Sequence, residues 1–367
     1  MTATMSTTWP SRHVLCALSL GAASIATLGV GCIASEGDVL RGEVLAHLAD
    51  EVFLPAHARF QGDAAALAEA TALRCMTGDD DPRTAAQDAW LTTHADWEVT
   101  AAFTFGPVVT QMQAGPLDYW PVRSDTIEAK ILAAPATIDA AWIDGLGTSA
   151  KGLPALEYLL FTAALLPNTP RCAYATALAA DIARRSDDLA TAWVLEAEAL
   201  KTAGQAGSSH ASEKAAIDAI VNATIENLYR MVKEKLDRPL GNLTGSDPDP
   251  TILESIYSGT TRDDLENNLQ GFARVYLGAD GEPGGEPGLG ALVAAQSPDL
   301  DQRILAQHAV ARDTLAAIPL PFATALTDDR SAVQTARDEI DALRRIIKLD
   351  VASLLGVTLS LSDNDGD

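Results

Sequence analysis

The residues of this sequence with the most chemical interest are carboxylates in unusual company. In Gly152-Leu-Pro-Ala-Leu-Glu-Tyr-Leu-Leu-Phe161, Gly and Pro open a helix, and Glu157 stands alone in an otherwise apolar turn. An isolated ionised carboxylate is expensive to desolvate there, so Glu157 must find a cation, a donor or a proton. The structural alternative is an Arg across a helix interface. Asp118, Arg123 and Asp125 surround Trp120-Pro121, a rigid aromatic corner that could line a pocket or pack as a loop closed by a salt bridge. Glu254 follows a turn-rich stretch, from which a loop carboxylate can reach a groove; a carboxylate favouring a helix start is the alternative. Two histidines sit four residues before a glutamate, His47 with Glu51 and His94 with Glu98. Each pair can face one way on a helix and share a metal. Two ligands without a third carry little weight, so both pairs read as surface contacts or satisfied histidines. No phosphate loop, nucleophile elbow, His-Glu-x-x-His or Cys-x-x-Cys motif is present.

The elements that must hold these groups are helical. Val44, Leu45, Leu48, Val52 and Phe53 recur at helical spacing, and Asp81-Pro82 announces a helix running past Trp90 and Trp97 towards Gly106-Pro107. Residues 171–203 form the longest uninterrupted helical stretch, and no alternating run or Asn-Gly hairpin signals a sheet. The reading is all-α, in two packed helical bundles. Residues 42–206 form an N-terminal bundle carrying the 152–161 segment and 213–360 a C-terminal one, parted by the polar break Gly204–Ser212. Residues 361–367 are an acidic tail.

Composition limits the partners. The 367 residues carry 26 Lys+Arg against 50 Asp+Glu, a formal charge of −24. That excess opposes nucleic acid, which is bound by neutralising phosphates, and opposes adsorption to an anionic membrane. An acidic surface instead concentrates cations.

Residues 1–31 read as an export signal: Arg12 and His13, then a short small-residue apolar run, then Gly31 before Cys32. Cys32 is the expected lipidated N-terminus, residues 32–41 a tether, and the lipid the only membrane attachment. Removal of the signal takes away one positive charge, Arg12, leaving −25. Cys75 and Cys172 then remain in an oxidising compartment, where the single possible pairing is a disulfide and the alternative two buried thiols.

The segment 152–161 resembles the signature of the imelysin-like (peptidase M75) family, Gly-x-His-x-x-Glu followed by an apolar helix. Further similar stretches are Ala89-Trp90…Phe105-Gly106-Pro107, Met112-Gln-Ala-Gly-Pro-Leu-Asp-Tyr-Trp-Pro-Val-Arg123, Glu254-Ser-Ile-Tyr-Ser258 and Leu355-Gly-Val-Thr-Leu…Asp363-Asn-Asp-Gly-Asp367. The resemblance spans roughly residues 40–367. It implies two helical bundles with a site between them, export to the cell envelope on the periplasmic side or the outer-membrane surface, and a part in iron or haem acquisition. Pro154 stands where the signature has His, so a mechanism needing that His does not carry over and the expectation is a binding protein and not an enzyme, with Glu157 the catalytic residue if there is one. The expected site is Glu157 and Glu254 as metal ligands with Trp120, Arg123 and Asp125 lining the cofactor. The expected ligand is iron, another divalent or trivalent cation, or haem. An M75-type metallopeptidase and a scaffold for another envelope protein are the alternatives.

Overall fold

The computed structural model describes residues 36–77, 80–162, 165–281 and 287–360, so the expected signal peptide, Cys32 and acidic tail lie outside the described residues. Every regular element among the described residues is a helix, as the 3.6-residue periodicity requires. The principal ones are α1 (Glu36–His47), α2 (Leu54–Thr77), α3 (Asp80–Thr100), α4 (Gly152–Thr162), α5 (Pro170–Lys201), α6 (Glu213–Arg230), α7 (Thr261–Leu277), α8 (Pro298–Ala316) and α9 (Arg330–Arg345). Short helices between Pro107 and Ala150 join α3 to α4. Helix starts carry the expected chemistry. Thr169 accepts from the Cys172 amide with Pro170 in the first turn, and Ser212 accepts from the Ala215 amide at 3.1 Å, ending the polar break.

Three segments wind as π-helix: Leu48–Phe53, Met231–Asp237 after α6, and Ile346–Val351 after α9. Such widened turns disturb helical register and recur at functional sites. The segment after α6 bears on the site described below.

The described residues form one compact unit containing two apolar cores. One gathers Phe60, Trp90, Leu117, Leu156 and Tyr174 from α2, α3, α4, α5 and the short helices. The other gathers Phe53, Phe103, Trp193, Phe272 and Phe322. The cores do not divide at the polar break: Val44–Ala56 and Trp193–Ala203, all upstream of it, pack with the C-terminal helices. Long α2 and α5 contribute to both cores, so one helix pair serves two bundles. Cys75, near the end of α2, and Cys172, at the start of α5, are disulfide-bonded with Cα atoms 5.5 Å apart.

Candidate metal centre

The site begins on α3, where Trp90, His94 and Glu98 follow one another at four-residue spacing and share a face. The Trp90 indole donates to the Leu153 carbonyl at 2.9 Å, and its ring stacks on His94 with centroids 4.6 Å apart. That stack fixes the imidazole plane. His94 Nδ1 lies 3.1 Å from Asp264 Oδ1 on α7, and Nε2 points at Glu98 Oε1, 3.5 Å away. Burial alone would lower the His94 pKa; hydrogen-bonded Asp264, helped by Glu98 and Asp118, overrides it and lifts the pKa to about 10. A carboxylate holding one ring nitrogen while the other faces further oxygens is the usual way a ligating histidine is oriented.

Asp118, at the end of a short helix, and Glu254, in the loop before α7, complete the group. His94, Glu98, Asp118 and Glu254 each offer one ligand atom, all within 4.8 Å of one another. Ligands held at about 2.0–2.5 Å from a metal stand about 4–5 Å apart across it, so this span is that of one ion's shell. Glu98 and Glu254 are 1% and 2% exposed. Glu98 Oε1, Asp118 Oδ1 and Glu254 Oε1 are buried without a hydrogen-bond partner. Buried oxygens are rarely left so, because each unsatisfied acceptor costs about 1–3 kcal/mol. Burial and the neighbouring Glu98 charge raise the pKa of Asp118 and push that of Glu254 well up, against the pull of Lys235.

One cation already stands in this nest. Lys235, on the π-helical segment and 4% exposed, places Nζ 2.5 Å from Glu98 Oε2 and 2.6 Å from Glu254 Oε2. The first contact is a hydrogen bond; in the second the Glu254 oxygen is close but misaligned for one. Asn268 on α7 donates to Glu98 Oε2 at 2.6 Å and to the Glu98 carbonyl at 2.9 Å. Burial works against ionising Glu98, yet Lys235 and His94 together hold its pKa below the ordinary value.

Two glycines bring these elements into range. Gly152 has φ +86°, and a Cβ there would meet the Leu117 carbonyl oxygen at 2.4 Å, so α4 starts flush against the backbone that leads into Asp118. Gly271 would put a Cβ 2.2 Å from the Val99 carbonyl oxygen, which lets α7 press Asp264 and Asn268 onto α3.

Glu157 has found a donor. Its Oε1 accepts from the Tyr257 amide at 2.9 Å, the Ser258 amide at 2.8 Å and the Ser258 hydroxyl at 2.9 Å. Burial raises its pKa to about 7 in spite of those bonds. It thereby anchors the loop that carries Glu254, in which Ser255 is held at φ +51°. Glu157 is not in the four-residue group, although its Oε2 is buried and unpartnered.

Of the residues singled out in the sequence, the structure brings Glu254 and Asp118 into the group together with the discounted pair His94 and Glu98. His94 and Glu98 are not surface contacts: they are the buried heart of the site, each 1% exposed. Arg123 and Asp125 are exposed and Trp120 half-buried; Arg123 stands 6.0 Å from the Tyr119 ring. Asp125 and Glu51 lie outside the group. Sequence reasoning passed over Lys235, Asp264 and Asn268. Their signal was position, since Lys235 continues the stripe Leu228, Met231, Val232, and Asp264 and Asn268 interrupt Leu265, Leu269 and Phe272.

Comparisons with known proteins identify the family and the fold. The imelysin family model (Peptidase M75) matches residues 53–349. The iron-regulated protein A of Synechococcus elongatus is 29% identical over 349 residues, covering 92% of this chain and 93% of the relative. A crystal structure described as an iron-regulated protein A precursor from Parabacteroides distasonis superposes with TM-score 0.76 at 21% identity, over 89% of this chain and 97% of that one. An imelysin-like protein from Psychrobacter arcticum gives 0.74 at 20%, over 88% and 98%. At these identities the two structures speak for the fold alone.

Proposed function

Because the chain belongs to the imelysin family, we propose that it captures a metal ion of the iron class as cargo, held by His94, Glu98, Asp118 and Glu254. The observation that carries this reading is the group itself: four potential ligands within 4.8 Å, three of them bearing buried oxygens that lack a hydrogen-bond partner. One imidazole and three carboxylates suit a hard to borderline cation such as ferrous, ferric, manganous or zinc ion. The name of the cyanobacterial relative, iron-regulated protein A, favours iron among these. His94 would supply the histidine that Pro154 cannot.

A bare ion fits better than haem. Haem needs a broad slot with an axial ligand, whereas this group spans a single ion. A cavity of about 980 Å³ elsewhere is lined by Cys75, Cys172, Asp181 and Arg184 and by no histidine. The metallopeptidase alternative rests on Glu157, whose Oε1 is committed to three loop donors, which leaves the buried Oε2 as its one oxygen for a base.

Titration calorimetry with Fe(II) under anaerobic conditions tests the reading. Wild type is expected to bind one ion, Glu98→Gln and Asp118→Asn to lose at least tenfold in affinity, and exposed Asp125→Asn to be unaffected. Stoichiometric binding that survives Glu98→Gln would refute it. The reading includes export and lipid anchoring through Cys32, supported by the N-terminal sequence and by a disulfide suited to an oxidising compartment. Labelled palmitate should enter the wild-type protein in a bacterial host and not Cys32→Ala.

A further inference from the structure

Resting on the metal-capture reading, we propose that Lys235 is a built-in competing cation: its ammonium occupies the cation position between Glu98 and Glu254, and an incoming metal binds by displacing it. The geometry argues this directly. Nζ lies 2.5 Å from one glutamate and 2.6 Å from the other, bridging two members of the four-ligand group. Both contacts are to Oε2 atoms, so an ion held by the unpartnered Oε1 atoms of the same two glutamates would stand next to a like charge, and that repulsion favours departure of the ammonium. The contact to Glu254 is close but misaligned for a hydrogen bond, as a charge placed for electrostatic balance would be. Without this ammonium, the buried Glu98 and Glu254 and the half-buried Asp118 would face each other with His94 and Arg230 as the remaining cations, a costly arrangement before metal arrives.

The location suits movement. Lys235 sits in the widened turn Met231–Asp237, and a flexible four-carbon stem carries its charge. Only the side-chain end has to leave. The backbone of α3, the Glu254 loop and α7 can stay, since Asn268 and Glu157 hold Glu98 and the loop independently of Lys235.

Competition of this kind sets a charge filter. Exchanging one ammonium for Na⁺ or K⁺ leaves the carboxylates with the same countercharge and adds the cost of dehydrating the ion. A divalent or trivalent ion doubles or triples the attraction to the same oxygens and gains a bond to His94 Nε2, which gives up its proton to solvent as the bond forms. Lys235 therefore makes the centre selective for multivalent, nitrogen-accepting ions over the abundant monovalent ones, at the expense of absolute affinity.

Calorimetry with Zn²⁺, redox-inert and diamagnetic, on the full folded chain tests this. Lys235→Met is expected to bind Zn²⁺ at least tenfold more tightly than wild type, and its melting temperature, lowered without metal, to rise in 150 mM KCl where wild type does not respond. Should Lys235→Met fold poorly, the lysine ¹⁵Nζ resonances of wild type provide the second readout: one ordered ammonium signal is expected to be lost or shifted at one equivalent of Zn²⁺. If wild type binds Zn²⁺ while folded Lys235→Met binds equally or more weakly, or the ammonium signal stays put, Lys235 is a fixed structural counter-ion and the inference fails while the metal centre stands. If neither protein binds and Glu98→Gln changes nothing, the metal reading itself falls.

Discussion

His57 shows how strongly single side chains depend on their surroundings here. It is 1% exposed, stacked on Trp193 with centroids 4.7 Å apart and set edge-on to Phe103 at 5.7 Å, and neither ring nitrogen has a hydrogen-bond partner. Burial drives its pKa from 6.5 down to about 3. The folded state therefore binds this proton less readily than the unfolded chain. Stability is complete above pH 6.5 and declines as pH falls towards 3, by up to ~5 kcal/mol if the full shift is expressed. Urea unfolding at pH 7 and pH 4 should show wild type losing several kcal/mol more than His57→Phe over that interval. Glu157 makes a contrasting case: it anchors the loop that carries Glu254 without belonging to the four-residue group. Glu157→Gln is expected to weaken metal binding about tenfold, Glu254→Gln more, and only Glu157→Gln to speed amide exchange at Tyr257 and Ser258. Equal effects of both on affinity and exchange would remove the distinction.

At the scale of elements, the site depends on close approaches between backbones. Gly152 combines φ +86° with a carbonyl 2.4 Å from any added Cβ, and that carbonyl belongs to Leu117, next to Asp118. Gly152→Ala should cost about 2–4 kcal/mol, strain and clash together, and should also reduce metal affinity by shifting Asp118; calorimetry and denaturant unfolding separate the two effects. Gly271→Ala should cost about 1–3 kcal/mol as overpacking against the Val99 carbonyl. Much of this level was legible in the sequence. Gly152 and Pro154 marked the start of α4, Ser212 the start of α6, and the apolar stripes the buried faces. The two-core arrangement was less so, because α2 and α5 are long enough to serve both cores and nothing in their periodicity says where one ends.

For the whole molecule, the link between Cys75 and Cys172 ties the end of α2 to the start of α5 across 97 residues. In the chain-entropy account a loop of that length is worth about 4–5 kcal/mol. The double variant Cys75→Ser/Cys172→Ser should lose a comparable amount in chemical denaturation and keep the proposed metal affinity, because neither cysteine belongs to the four-residue group. Ligation at a site that joins α3, the 118 segment, the Glu254 loop and α7 should stabilise all of them together. At a free-ion concentration a hundredfold above the dissociation constant the gain is about 2.7 kcal/mol, read as a rise in melting temperature that chelation reverses.

Composition, periodicity and turn residues are local properties, and they alone determined that the chain is acidic, helical and built from long amphipathic segments with a family signature at 152–161. They also fixed attention on Glu157, because an apolar neighbourhood along the chain is visible without a fold. The four-residue group could not be read the same way. Its members come from positions 94, 98, 118 and 254, and their significance lies in a separation of 4.8 Å that only packing creates. A histidine and a glutamate four residues apart look ordinary until Gly271 brings α7 against them and Lys235 arrives from a widened turn. Tertiary structure decided which carboxylates are buried together, and desolvation made that burial chemically consequential.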